Sequence, residues 1–296
     1  MHTIAVIGAT GELGFRLVHA LQQSYRIVAV VRNRGKRDFS SLPHVEIRQV
    51  HDISDIDKLG VALKGCEAVV NTGYIWFARH IHQAMVNGGL QLRHALFTGS
   101  TGIYTRLPSP SAERKREAEQ FIQQRYQCPW TIIRPTMIYG HKDDRNISRL
   151  LRTIARYPIL PLIGPGDSLI QPVFIHDVVK AHETALLNPK YFGKSYDIGG
   201  SKAYSNRDLI ACASASLDRR TRLVSLPAAL IDAAVTLLST LRSSPVSREQ
   251  VWRFQEDKHI DLSPFIKDFD YVPRNFEQGI GSLVRDLKLN RQLARH

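Results

Sequence analysis

Cysteine, methionine and tryptophan are scarce in this chain, with three of each, and the shortage of cysteine is the first constraint. Cys66, Cys128 and Cys212 lie far apart and form no C-x-x-C pair, which excludes a disulfide framework and the common zinc spacings. No metal centre is expected, and a reducing compartment fits. No low-complexity run occurs, and a chain that is 43% hydrophobic and 23% charged is of neither the disordered nor the fibrous kind. Long clean apolar runs are missing too. The most apolar stretch, 223–241, carries Pro227, Asp232 and several hydroxyl residues, short of the roughly 20 apolar residues that span a bilayer. It is expected to be a buried helix, with a peripheral membrane contact as the alternative. The start, Met1-His2-Thr3 followed at once by an apolar strand, shows no signal-peptide pattern, so the cytoplasm is the expected location. Acids are outnumbered by bases, 27 to 40, for a net charge of +13. Such a charge attracts anions, nucleic acid among them. The basic groups at 32–37, 114–116 and 219–222 are dispersed, however, and no nucleic-acid-binding motif accompanies them, so that partner is not expected.

What is present is an alternation. The runs Thr3–Ile7, Arg26–Val31, Val45–Gln49, Ala68–Asn71, His94–Thr98 and 131–134 read as short buried strands, and amphipathic stretches between them read as helices. Strands alternating with helices predict an α/β fold with a doubly wound parallel sheet, the Rossmann arrangement. A helix is expected at 146–157, a long functional loop at 158–172, a strand at 173–175 and a helix at 176–187. Residues 1–200 are expected to form the dinucleotide-binding domain, with 140–172 on the substrate side, and 201–296 a small, mostly helical lobe.

Gly8-Ala9-Thr10-Gly11-Glu12-Leu13-Gly14 closes the first strand and opens the first helix. Glycines in that context let the backbone approach a pyrophosphate, which the helix N-terminus then binds. The second strand ends in Val31-Arg32-Asn33-Arg34, followed by Lys36. No acid is present there to bind a ribose 2′-hydroxyl, whereas Arg32 and Arg34 suit a 2′-phosphate, so NADP(H) is favoured over NAD(H).

With these motifs the chain resembles the short-chain dehydrogenase/reductase superfamily, in particular its extended and atypical NAD-dependent epimerase/dehydratase members. The likeness covers about residues 3–200. In its terms Asp52-Ile53 resembles the step that holds the adenine, and Asn71-Thr72-Gly73 the fourth-strand end beside the cofactor. Ser100, in Phe97-Thr98-Gly99-Ser100, resembles the catalytic Ser/Thr, and Arg134-Pro135-Thr136-Met137 the segment lining the nicotinamide. The family's catalytic Tyr and Lys stand four residues apart, and here Lys115 is kept while Ser111 replaces the Tyr. A serine hydroxyl is too weak an acid to inherit the role of a phenol. Lys115 is expected on the nicotinamide ribose, with an ion pair to Glu119 as the alternative. Ser100 is expected on the reacting oxygen, or as the cap of the turn after its strand. Tyr104 is the substitute proton donor to test first, and Tyr74 the second.

Sugar-nucleotide members also carry an Arg near the Phe174-Ile175-His176-Asp177 landmark, where this chain reads Leu169-Ile170-Gln171-Pro172. A nucleotide sugar is therefore not claimed. Lys142, Arg145 and Arg149 leave room for an anionic small-molecule substrate, and 223–241 for a hydrophobic or lipid-linked one. The expectation is an NADP(H)-dependent oxidoreductase or epimerase/dehydratase-like enzyme. The alternative is a catalytically inactive dinucleotide-binding sensor or assembly subunit. Oligomeric state is left open.

Overall fold

The computed structural model describes residues 1–33, 35, 37–144, 146–227 and 256–287. Helices separate the six strands of the first half except between β2 and β3, where the expected helix is replaced by a loop among the described residues: β1 (Thr3–Ile7), α1 (Glu12–Leu21), β2 (Arg26–Val31), β3 (Val45–Gln49), α2 (Ile56–Leu63), β4 (Ala68–Asn71), α3 (Ala78–Asn87), β5 (His94–Thr98), α4 (Pro110–Arg125) and β6 (Trp130–Pro135). The second half supplies β7 (Ile138–Tyr139), α5 (Ile147–Arg156), β8 (Ile159–Ile163), β9 (Leu169–Ile170), β10 (Val173–Phe174), α6 (Ile175–Ala185), β11 (Lys194–Ile198), β12 (Tyr204–Ser205), α7 (Asn206–Ala215) and β13 (Arg222–Leu226). Two further helices follow, α8 (Ser263–Phe269) and α9 (Phe276–Asp286).

The central sheet has seven parallel strands in the order β11-β6-β5-β4-β1-β2-β3. Its inner strands are buried on both faces, as parallel strands covered by helices must be, and so they read as unbroken apolar runs. One core packs α1 and α6 on one face, and another packs α2, α3 and α4 on the other. The strand order reverses between β1 and β4, whose last residues Ile7 and Asn71 pair side by side. A crevice opens at that reversal beyond the carboxyl ends of the strands, the place where open α/β sheets bind ligands.

A third core unites Tyr139, α5, Leu160, Phe174, α7 and α9. It joins the segment after Gly140 to residues beyond 200. The chain does not divide cleanly there, however, because Phe265 and Phe269 of α8 pack with Tyr191 and Tyr196 against the main sheet.

The expected loop at 158–172 holds two short strands instead. β8 pairs in parallel with β13, and β9 pairs antiparallel with β12. Pro161 is tolerated because β8 has a partner on one side only. The strand expected at 173–175 ends at Phe174, and Ile175 begins α6. The helix expected at 223–241 begins instead as β13 through Leu226; residues 228–241 lie outside the described residues. Among the described residues no helix is long and apolar enough to cross a membrane.

Candidate functional site

The crevice over the carboxyl ends of β1, β2, β4 and β5 encloses about 790 Å³, within the usual range for a cofactor pocket. Its floor is the turn from β1 into α1. Gly8 has φ +82°, where a side chain is strained, and its Gly8 carbonyl closes the turn on Gly11 N–H at 2.9 Å. A Cβ on Gly14 would collide with that carbonyl oxygen and lie 2.6 Å from Thr72 Oγ1. Thr72 Oγ1 itself donates to Ile7 O at 2.9 Å, binding the fourth strand end to the first. Gly11 caps α1 without a side-chain hydrogen bond, so the first-turn N–H groups stay available to an anion.

The sequence-expected residues divide by location. Gly8, Thr10, Gly11, Glu12, Leu13 and Gly14 line the crevice, as do Arg32, Asp52, Ile53, Thr72, Gly73, Ser100, Pro135 and Thr136. Arg34 lies outside the described residues. Asn71 is buried behind the wall, where its amide donates to Tyr74 O and accepts from Gly73 N–H, so it shapes the turn. Met137 packs against the third core and does not line the crevice, whereas its neighbours Thr136 and Ile138 do. Arg32 is exposed at the rim. Asp52 accepts from Ser54 N–H at 2.9 Å, and that bond holds its carboxyl below the usual range.

Glu12 stands at the start of α1. Burial pushes its carboxyl up, but Arg16, which donates at 2.8 Å, and Arg37 outweigh burial and bring it below its ordinary value. The Arg37 partnership ties the loop after β2 to the floor turn.

On the substrate side, Ser100 Oγ accepts from Gly102 N–H at 3.1 Å, the capping role anticipated as its alternative. Lys115 Nζ reaches the same turn. A Cβ on Gly102 would sit 3.2 Å from Ser100 Oγ and 3.6 Å from Lys115 Nζ. Ala118 and Ile122 on the same stripe of α4 are buried, Lys115 is half-buried and Ser111 is exposed. Glu119 is engaged elsewhere, accepting from Arg134 Nε and Nη2 at 2.7 to 3.0 Å, with side-chain exposures of 5% and 11%. Burial works against the charge on Arg134, but the bonds to Glu119 hold it above its ordinary range.

Tyr104, expected as proton donor, is turned away from the crevice. Its hydroxyl donates to Asp197 Oδ2 at 2.8 Å and accepts from Arg134 Nη1 at 3.2 Å. Burial and the Asp197 bond push the phenol up to about 12. Tyr74 lines the crevice, exposed and stacked on Trp76 at 4.3 Å.

Sequence reasoning missed several groups here. Glu256 accepts from Thr105 Oγ1 and Arg106 N–H, fastening the segment after 255 over the Tyr104 loop. Thr98 lines the crevice and bonds His182 Nε2 at 2.8 Å, while His182 Nδ1 faces Val178 O. These partners fit a neutral ring with the proton on Nδ1, and burial lowers His182 to about 4. No local pattern marks a contact spanning 84 or 150 residues.

The fold and crevice define a doubly wound NAD(P)H-binding protein. Residues 8–153 match the NAD(P)H-binding family model. The chain is 24% identical over 257 residues to N-acetyl-alpha-D-glucosaminyl-diphospho-ditrans,octacis-undecaprenol 4-epimerase of Escherichia coli O157:H7, covering 76% of this chain and 75% of the relative. It is 28% identical over 244 residues to NADH dehydrogenase [ubiquinone] 1 alpha subcomplex subunit 9, mitochondrial, of Arabidopsis thaliana, covering 75% of this chain and 60% of that protein's length. The fold superimposes on an NADPH-dependent quinone oxidoreductase of Escherichia coli complexed with NADPH, with a TM-score of 0.75, 20% identity and coverage of 95% and 99% of the two chains. Other structures of this fold hold NAD. The matched family model is that of NAD(P)H-binding proteins, and over most of its length the chain is similar to epimerases and dehydratases of this fold.

Proposed function

We propose that the protein is an NADP(H)-dependent oxidoreductase of the epimerase/dehydratase type acting at a hydroxyl- or carbonyl-bearing carbon. The observation that carries the cofactor preference is Arg32 at the rim over β2, with no acid on that strand end. The residues present fit the dinucleotide: an uncapped helix N-terminus faces the crevice for the pyrophosphate, and Asp52-Ile53 flank the adenine end. When bound, the cofactor supplies or accepts the hydride. Ser100 orients the reacting oxygen, and Lys115, beside it at Gly102, holds the ribose. Tyr104 delivers the proton only by exchanging Asp197 for the substrate, since Ser111 supplies no phenol. The substrate is a small molecule of hydrophobic or anionic character, and the lipid-linked sugar in the name of the Escherichia coli relative is one such chemistry.

The engagement of Tyr104 with Asp197 favours a second reading, a dinucleotide-binding sensor or assembly subunit without turnover. The subunit name of the Arabidopsis relative agrees with it. Titration with NADPH and NADH, followed by turnover assays on a panel of carbonyl compounds, separates the two. Tight NADPH binding with turnover supports the enzyme, tight binding without turnover the sensor, and binding of neither nucleotide contradicts both.

A further inference from the structure

We propose that the outward face of the β8–β13 pair, with the arginine stripe of α5 beside it, docks on an anionic lipid bilayer surface. This inference is independent of the cofactor reading and rests on a different part of the molecule.

The register places Arg222 opposite Ile159, Val224 opposite Pro161 and Leu226 opposite Ile163. Alternation puts those six on one face, while Leu160 and Leu223 turn to the third core. The outward face is therefore apolar apart from Arg222. Ile159 is 53% exposed, Val224 42% and Leu226 37%, and Tyr157 immediately before β8 is 48% exposed. Four of the ten exposed large hydrophobics among the described residues thus gather at one place. Single exposed apolar residues are ordinary, but a contiguous group marks an interaction surface.

The charge carried by the neighbouring helix is basic. α5 buries Ile147, Leu151 and Ile154 and exposes Arg149, Arg152 and Arg156, and the chain passes from Arg156 through two residues into β8. From 145 to 166 the sequence has four arginines between Asp144, which is buried, and Asp167, and from 219 to 231 three arginines between Asp218 and Asp232. Beyond Pro227 the sequence continues through 228–241 with a single charge, Asp232. An apolar face joined in the chain to a helix that exposes three arginines is the arrangement of a protein that lies on a membrane, its apolar side chains in the headgroup layer and its cations on anionic lipid. Nucleic acid would use the arginines but leave the apolar face unsatisfied.

The test is flotation of the full chain with phosphatidylcholine vesicles containing about one third phosphatidylglycerol, against pure phosphatidylcholine, at low and high salt. The wild type is expected to float with the anionic vesicles, to release at high salt and to ignore the neutral ones. Ile159→Asp/Val224→Asp and, separately, Arg152→Glu/Arg156→Glu are each expected to cut the bound fraction about tenfold or more, with NADPH binding unchanged. Should the first variant lose its thermal transition, the second, on an exposed helix face, carries the test. The proposal is overturned if the wild type stays unbound at low salt, or if both variants bind as the wild type does. It is also overturned if sedimentation velocity shows a dimer that the apolar variant dissolves, which assigns the face to a second copy.

Discussion

The two halves of the crevice are built by opposite means. Over β1, β2 and β4 the surface is backbone: a positive-φ glycine, a glycine pressed on a carbonyl, an uncapped helix start and a threonine pinned to a neighbouring strand. Over β5 and β6 it rests on side chains already committed to one another, with Ser100 on Gly102, Tyr104 on Asp197, Glu119 on Arg134 and Thr98 on His182. The first half is shaped to receive a ligand's backbone-sized groups. The second has its polar groups engaged in holding the fold. The two ends of the crevice can thus respond differently to substitution.

The sharpest way to break the first half is Gly14→Val, which forces side-chain atoms into the Gly8 carbonyl and Thr72. Overpacking against backbone costs about 1 to 3 kcal/mol or more in stability. The displaced turn lowers NADPH affinity by roughly a thousandfold, the scale on which a 1 Å misplacement and a lost pyrophosphate site combine. Calorimetric titration and thermal unfolding check this.

Breaking the second half gives a different signature. Glu119→Ala leaves Arg134 charged and largely buried without its main partner, and removal of one member of such a pair destabilises by about 3 to 5 kcal/mol. The thermal midpoint is expected to fall by several degrees while the folded fraction still binds NADPH.

Acid reaches the same half through histidine. His94 is buried with Nε2 on Thr131 Oγ1 and accepts from Leu187 N–H, and like His182 it is lowered by burial to about 4. Above the ordinary value of 6.5 both rings are neutral folded and unfolded alike. As pH falls from 6.5 towards 4 only the unfolded chain takes up protons at these sites, so stability is lost through that window and the loss levels off below it. Each ring contributes on the order of 3 kcal/mol by this linkage. Denaturant unfolding at a series of pH values should show the decline, and His182→Gln should flatten it.

The smallest stability effect belongs to Tyr104→Phe, which removes two hydrogen bonds at a half-exposed site and costs about 1 kcal/mol. Its kinetic readout is larger in meaning than in stability. The enzyme reading predicts a fall in kcat of about a hundredfold or more with cofactor affinity unchanged; an unaltered kcat would leave the phenol as a strut between β11 and the loop.

Much of the first half was legible in the sequence for a physical reason. Strands buried on both faces are written as unbroken apolar runs, and β1, β2, β4 and β5 fall where those runs do, whereas the edge strand β3 alternates. The glycine turn was legible because its spacing sits between a strand and a helix. The segment at 158–172 was not, because Pro161, Gly164 and Pro165 punctuate it like a loop, and β8 escapes that penalty only by pairing on one side. The ion pair of Glu119 with Arg134 and the clasp of Glu256 on the Tyr104 loop have no local signature at all. They exist only once β6, α4 and the segment after 255 have been brought together.

The most direct test of the central claim is a parallel titration of the wild type and Arg32→Asp with NADPH and NADH. The account predicts tighter NADPH binding by the wild type and a loss of about 10-fold to 100-fold for NADPH in Arg32→Asp, the worth of a charge-assisted phosphate contact, with NADH affinity little changed. Equal affinities in the wild type, or an Arg32→Asp variant that still prefers NADPH, would contradict it.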